Sequence, residues 1–179
     1  PLTRYVLEHA VAECTTWRAD GSDLSVAVNL SVRDLLDRDL PAQVERVLDA
    51  YRLPADALHL EITESMIMSD PDRALGTVTR LRELGVCISV DDFGTGYSSL
   101  QNLKRLPITE LKIDRSFVSS MARDANDLII VRSTVNLGHD LGLRVVAEGV
   151  EDEYTLKRLA LLGCDLAQGY HCLLYTSPS

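Results

Sequence analysis

Polar and charged side chains stand at the ends of six short apolar runs of this sequence. In chain order these residues are Asn29, Glu61 with Glu64, Asp91 with Asp92, Lys112, Glu148 and Gln168. Oxygen ligands such as carboxylates and amides select Mg²⁺ or Mn²⁺, whereas zinc prefers His or Cys. The four carboxylates of Glu61, Asp91, Asp92 and Glu148, gathered at one rim, would also repel each other unless cations were bound. The acidic residues together with Asn29 therefore indicate a site for divalent metal ions.

Two such cations, held about 3.5 to 4 Å apart, can activate a water molecule and clamp a phosphodiester for in-line displacement. The adjacent residues Asp91 and Asp92 could serve both ions, with one carboxylate bridging them. In the run 111–114, strand alternation places Lys112 and Asp114 on the face opposite the two aliphatic residues. Carboxylates around Lys112 favour its charged form, which could orient the attacking hydroxide and stabilise charge on the phosphoryl group.

Each of these residues, taken alone, has an ordinary explanation as a helix cap, a turn former or a solvated strand residue. The set is more specific than any member, because chance would not place a polar group at the end of every apolar run.

The elements that must position these residues alternate along the chain. Short β-branched runs predict strands at 24–30, 58–63, 86–90, 110–113, 144–147 and 164–167. Amphipathic patterns predict helices around 3–17, 41–52, 71–84, 97–106, 122–141 and 151–162. The polar strand ends recur on average about every 28 residues, which is the length of one βα unit.

Parallel strands present their carboxyl ends at one face, and in (β/α)8 barrels that face carries the catalytic groups. A doubly wound open sheet would gather its strand ends mainly at the switch point and would not use all six units equally. We therefore predict an α/β fold of the (β/α)8 TIM-barrel type that is incomplete, with about six strands present and an unpaired edge.

The composition narrows the class of protein further. The chain has 179 residues, which fit one domain, and a net charge of −9. The acidic balance and the 5% aromatic content argue against binding to a nucleic acid polymer. No apolar stretch is long enough for a membrane span, so we expect no membrane contact by this segment. Four cysteines without a CxxC pair favour a reduced, cytoplasmic setting, although a longer parent protein could carry a membrane anchor elsewhere.

Six motifs in this order give the sequence a specific resemblance to a known family. They are VNLS at 28–31, LEITES at 60–65, DDFGTGYSSL at 91–100, LKIDRSFV at 111–118, VVAEGVE at 145–151 and AQGY at 167–170. Together they resemble the EAL-domain cyclic di-GMP phosphodiesterases over about residues 1–170. The resemblance implies a modified (β/α)8 barrel and metal-dependent hydrolysis of cyclic di-GMP to linear pGpG in bacterial signalling.

The resemblance also implies a role for each matching residue. The implied ligands of two Mg²⁺ or Mn²⁺ ions are Asn29, Glu61, Asp91, Asp92 and Glu148. Lys112 is expected near the nucleophilic water and Gln168 as a supporting polar group. Asp114 and Arg115 are expected beside the substrate. Glu64 is expected to anchor the loop 93–98, which in this family lies at the contact of a homodimer.

Two departures from the family pattern affect these expectations. The Glu-Ala-Leu or Glu-Val-Leu signature, which supplies a metal ligand, is absent and is expected upstream. We therefore interpret residues 1–171 as a partial, N-terminally truncated EAL domain and expect this piece alone to be nearly inactive. Residues 172–179 leave the family pattern, and we interpret them as a tail that arose from read-through or cloning.

Two alternatives to a phosphodiesterase remain open at this point. A non-catalytic cyclic di-GMP receptor or dimerisation module would result if the signature upstream were altered. An enolase-type enzyme also combines strand-end carboxylates, Mg²⁺ and a lysine base, but the DDFGTGYSSL segment disfavours it.

Overall fold

A six-stranded sheet forms the framework of the protein. The computed structural model describes residues 2–94 and 100–174. The strands are β1 (Val26–Asn29), β2 (Leu58–Thr63), β3 (Cys87–Phe93), β4 (Glu110–Ile113), β5 (Arg144–Glu148) and β6 (Leu166–Gln168). They neighbour one another in chain order, and the pairs β1–β2, β4–β5 and β5–β6 are parallel. All six predicted strands are present.

Helices separate the strands, as the amphipathic patterns predict. They are α1 (Leu2–Ala19), α2 (Val32–Leu35), α3 (Leu40–Tyr51), α4 (Glu64–Ser69), α5 (Pro71–Glu83), α6 (Leu100–Arg105), α7 (Arg115–Ser120), α8 (Ala125–Asp140), α9 (Glu153–Leu161) and α10 (Tyr170–Leu174). A 3₁₀ turn covers Ala55–Ala57. The short helices α2, α4, α7 and α10 were not predicted, because helices of four to six residues are too short to show apolar periodicity.

Side-chain caps mark the starts of α5, α8 and α9. Asp70 accepts the Arg73 N–H at 3.2 Å, and Pro71 occupies the first position of α5. Asp152 likewise accepts the Thr155 N–H at 2.8 Å at the start of α9. These bonds satisfy N–H groups that have no partner inside the helix, so the helix starts are determined locally by sequence.

Two compact units make up the chain, and β3 passes from one into the other. The first contains residues 2–89 and 100–108 of the described chain, with a core that includes Val11, Val44, Leu58, Leu60 and Leu81. The second contains residues 90–94 and 109–174. Its core packs α7, α8 and α9 on β4 and β5 through Ile113, Val118, Val135, Val145 and Leu159.

In the part of the chain that the structure describes, none of the helices is both long and apolar enough to cross a lipid bilayer.

Candidate active site

Asn29 and Glu61 lie side by side at the carboxyl ends of β1 and β2, in the first unit. They are register partners in the parallel pair, and the Leu30 N–H donates to the Glu61 carbonyl at 2.9 Å. Register partners of a parallel pair project to the same face, so the amide and the carboxylate are neighbours. Glu64, the first residue of α4, is buried. Two of the predicted metal ligands are thus brought together by strand register.

In the second unit, predicted site residues gather around Lys112. Its side chain projects from β4 and is only 3% exposed. Its ammonium contacts the Glu148 carboxylate at the end of β5 and lies 3.8 Å from Asp91 Oδ1 in β3. A buried charge is tolerated only with partners of opposite charge. Sequence reasoning placed Lys112 beside these carboxylates, and the structure brings the three residues together.

Asp92 lies against two other carboxylates, those of Asp91 and Asp114. Its backbone is left-handed, with φ of 55°, and its N–H donates to Asp91 Oδ1 at 2.9 Å. Burial, together with the negative charges of Asp91 and Asp114, raises the pKa of Asp92 above its ordinary value. The end of β3 therefore brings three carboxylates close together.

Asp114 caps α7 by accepting hydrogen bonds from the Ser116 N–H, at 2.9 Å, and from the Ser116 hydroxyl. Burial acts to raise the pKa of Asp114, but these bonds and a further one with Asp92 outweigh it, so its pKa lies below the ordinary value.

An open cavity of about 530 Å³ lies at the ends of β5 and β6 in the second unit. Glu148 and Gln168, which are register partners, belong to its wall. Among residues 2–94 and 100–174, those that line it are Arg115, Glu148, Gly149, Glu151, Ala167, Gln168, Gly169, Tyr170 and Cys172. The predictions named three of these residues: Arg115, Glu148 and Gln168.

Sequence reasoning assigned no role to Gly149, Glu151, Gly169 or Tyr170, which also line the cavity. Two sequence signals point to them: each belongs to the motif VVAEGVE or AQGY, and each stands within three residues of a predicted site residue at the end of β5 or β6. At Gly169 an added Cβ would lie 2.3 Å from the Val150 carbonyl oxygen, so glycine is required there by close backbone approach.

The chemistry of these side chains fits divalent cations, since every predicted ligand offers a carboxylate or amide oxygen. Burial raises the pKa of Asp92 most, and the repulsion from Asp91 and Asp114 that adds to it is what a bound cation would relieve. As the side chains lie, residues 2–94 and 100–174 contain no group of three or more His, Cys, Asp or Glu in a metal-binding arrangement. Asp91 and Glu148 contact the Lys112 ammonium instead. The assignment of metal ligands stays a prediction.

The predicted dimer loop, residues 93–98, lies mostly outside the described residues, which end at Gly94 and resume at position 100. The predicted role of Glu64 as its anchor, and the predicted homodimer, therefore stay predictions as well.

Comparisons with known proteins all point to the same family for this chain. The family model described as the EAL domain matches residues 1–174. The chain is 45% identical over 167 residues to the bifunctional diguanylate cyclase/cyclic di-GMP phosphodiesterase MucR of Pseudomonas aeruginosa, covering 93% of this chain and 24% of that protein. It is 39% identical over 170 residues to the cyclic di-GMP phosphodiesterase PA2567 of the same species, covering 95% and 29%. The chain thus spans about a quarter of the length of these relatives.

Solved structures of the same family share the fold. A complex of the MucR phosphodiesterase with c-di-GMP has a TM-score of 0.90 and 44% identity, covering 94% of this chain and 69% of that one. The EAL domain of Mycobacterium smegmatis DcpA has a TM-score of 0.90 and 41% identity, covering 99% and 79%. These matches confirm the predicted fold class and the predicted resemblance, and the chain belongs to the EAL domain family.

Proposed function

We propose that the full-length protein carrying this chain is a bacterial signalling protein that hydrolyses cyclic di-GMP to linear pGpG, and that this chain forms part of its phosphodiesterase domain. Membership of the EAL domain family and the names of the relatives support this reaction class. The observation that carries the proposal is the buried ammonium of Lys112 in contact with Asp91 and Glu148 at the ends of three strands. The buried positive charge of the Lys112 ammonium can attract both an anionic phosphodiester and a negatively charged nucleophile.

We further propose that five oxygen-bearing side chains bind two divalent cations, Mg²⁺ or Mn²⁺. Their ligands would be Asn29, Glu61, Asp91, Asp92 and Glu148. When bound, such ions supply a water that is deprotonated near neutral pH and a positive clamp for the phosphodiester. The family pattern and the oxygen chemistry of the five side chains support the assignment.

The remaining polar residues act through charge and hydrogen bonding. The Lys112 ammonium orients the attacking oxygen and stabilises the charge that develops on the phosphoryl group. Asp114, held at the start of α7 by Ser116, and Arg115, next to it, contact the substrate. The Gln168 amide offers both a donor and an acceptor beside Glu148.

Turnover measured by nucleotide chromatography tests the proposal in the full-length protein that carries this chain. We expect Asp91→Asn to lower formation of pGpG at least about 100-fold, because a lost ligand costs more than the 10- to 100-fold typical of groups that only support ligands. Asp140→Asn, at the exposed end of α8, removes the same charge far along the chain and should retain activity.

Wild-type turnover in Asp91→Asn would refute the assignment of Asp91 as a ligand. Tight binding of cyclic di-GMP by the wild-type protein in the presence of metal, without any pGpG, would instead favour the non-catalytic receptor.

Homodimerisation through residues 93–98 and a cytoplasmic location complete the proposed function. The family resemblance supports the first, and the cysteine content supports the second.

A further inference from the structure

The side chain of Arg115 lies directly on the backbone of Gly149. A Cβ added at Gly149 would stand 2.3 Å from Arg115 Cγ, 2.8 Å from its Cβ and 2.9 Å from its Cδ. Gly149 also has φ of 70°, a conformation that other residues rarely adopt. Glycine at this position thus leaves the space through which the aliphatic part of Arg115 passes.

Glu151 holds the other end of the same side chain. Arg115 Nη2 lies 3.1 Å from Glu151 Oε1, although both side chains are largely exposed, at 64% and 49%. An exposed ion pair contributes little to stability, so stability is a poor reason for this contact. The segment after β5 therefore provides both the surface under the Arg115 stem and the carboxylate that restrains its tip.

Arg115 and Glu151 both line the 530 Å³ cavity that also contains Glu148 and Gln168. A guanidinium carries five N–H donors in a fixed plane, and one carboxylate contact leaves donors available for a second acceptor. We propose that Glu151 and Gly149 are positioning residues that hold the Arg115 guanidinium in this cavity, where it binds a phosphate oxygen of the substrate. The inference rests on the proposed function for the identity of that substrate.

Steady-state kinetics of the full-length protein with cyclic di-GMP provide the first test. We expect Glu151→Gln to raise KM about two- to fivefold, the range that corresponds to an exposed ion pair. We expect kcat to change by less than about twofold, because Arg115 binds a phosphate charge that is present before and during reaction. Glu153→Gln is the matched control, since Glu153 is similarly exposed, at 59%, and pairs with Lys157 at 2.7 Å. Its KM should equal that of the wild type.

A double-mutant cycle separates positioning from an independent role of Glu151. Arg115→Ala should raise KM more than Glu151→Gln does, and adding Glu151→Gln to Arg115→Ala should have no further effect. Gly149→Ala should also raise KM, since its Cβ would displace the Arg115 stem. An equal effect of Glu151→Gln with and without Arg115 would overturn the inference.

Nuclear magnetic resonance of the Arg115 Nε–H group gives a readout that needs no substrate. Its order parameter should fall in Glu151→Gln and stay at the wild-type value in Glu153→Gln. An unchanged order parameter in Glu151→Gln would overturn the positioning role. If the wild-type protein neither binds nor cleaves cyclic di-GMP, the proposed function is refuted, and the order parameter alone then decides whether Glu151 positions Arg115.

Discussion

Among single residues, Asp92 combines an unusual backbone conformation with an unfavourable charge. Its left-handed φ of 55° is one that Asp and Asn tolerate better than other non-glycine residues. Its raised pKa, caused by burial and by the nearby Asp91 and Asp114, means that folding disfavours the ionised form of Asp92. Such local costs are typical of functional sites, where the surrounding structure maintains them.

Asp92→Asn should therefore stabilise the metal-free protein while damaging the proposed metal site. Asparagine keeps the backbone preference and removes the repelled charge, so we expect the free energy of unfolding in EDTA at pH 7 to rise by about 0.5 kcal/mol, the size of a partly exposed charge pair. Excess Mg²⁺ or Mn²⁺ should stabilise the wild type by about 2.7 kcal/mol at 100 times its dissociation constant. The variant should gain much less. Urea unfolding with and without metal measures both effects.

The matched control for this experiment is Asp20→Asn, which removes an exposed carboxylate from the turn after α1. It should retain the full stabilisation by metal. Equal stabilisation of wild type and Asp92→Asn by metal would contradict the role of Asp92 as a ligand.

At the level of helices and strands, two glycines within helices differ in what surrounds them. Gly138 is buried in α8, and an added Cβ would lie 2.3 Å from Val145 Cγ2 on β5. Gly76, in α5, has nothing within 4 Å of the same position. Glycine allows α8 to pack closely on β5, whereas in α5 it only weakens the helix.

Alanine substitutions at these two positions should have opposite effects. We expect Gly138→Ala to lower the free energy of unfolding by about 1–3 kcal/mol, because the overpacked helix must move away from the strand. Gly76→Ala should raise it by about 0.5–1 kcal/mol through helix propensity. Thermal or urea unfolding of the two variants in parallel measures this. A loss of stability at both positions, or at neither, would show that close packing of α8 is not what requires Gly138.

On the scale of the whole molecule, hydrogen bonds to carboxylates connect distant parts of the chain. Asp165 accepts the Val145 N–H at 2.7 Å and lies 3.0 Å from His139 Nε2, so it connects the segment before β6 to β5 and α8. The Val145 N–H, followed by His139, lowers the pKa of Asp165 despite partial burial. The pKa is likewise lowered at Asp34, Asp114, Asp152 and Glu153.

Acid should therefore destabilise the protein. A carboxylate whose pKa is lower when folded contributes stability above its unfolded pKa, and this is lost as the pH falls through the folded value. Because the unfolded values lie near about 3.9 for Asp and about 4.3 for Glu, we expect the urea midpoint to be steady above about pH 5 and to fall below about pH 4. Asp92, whose pKa is raised, opposes this trend but is one group against five.

Asp165→Asn should make the fall of the urea midpoint with acid shallower, and Asp140→Asn, next to His139, should leave its slope unchanged. A midpoint that rises between pH 5 and pH 3.5 would contradict this expectation.

Much of the fold follows from short-range sequence patterns. The strands were predictable because β-branched runs are local, and α5 and α9 because Asp70 and Asp152 cap helices within a few residues of their own positions. The short helices after strands were not predicted, since their few residues show no periodicity, although Ser31, Thr63 and Asp114 cap three of them locally. The residue types at the strand ends were likewise visible in the sequence.

What the sequence by itself determined is the alternation of strands and helices, the chemistry at the strand ends and the motifs of the family. Only the tertiary structure decided which of these side chains touch. Lys112 with Glu148, and Arg115 with Gly149 and Glu151, come from different βα units and meet because β4 and β5 are neighbours in register. Long-range contacts of this kind depend on how whole elements pack, and the free energy of that packing is not contained in any local stretch of residues.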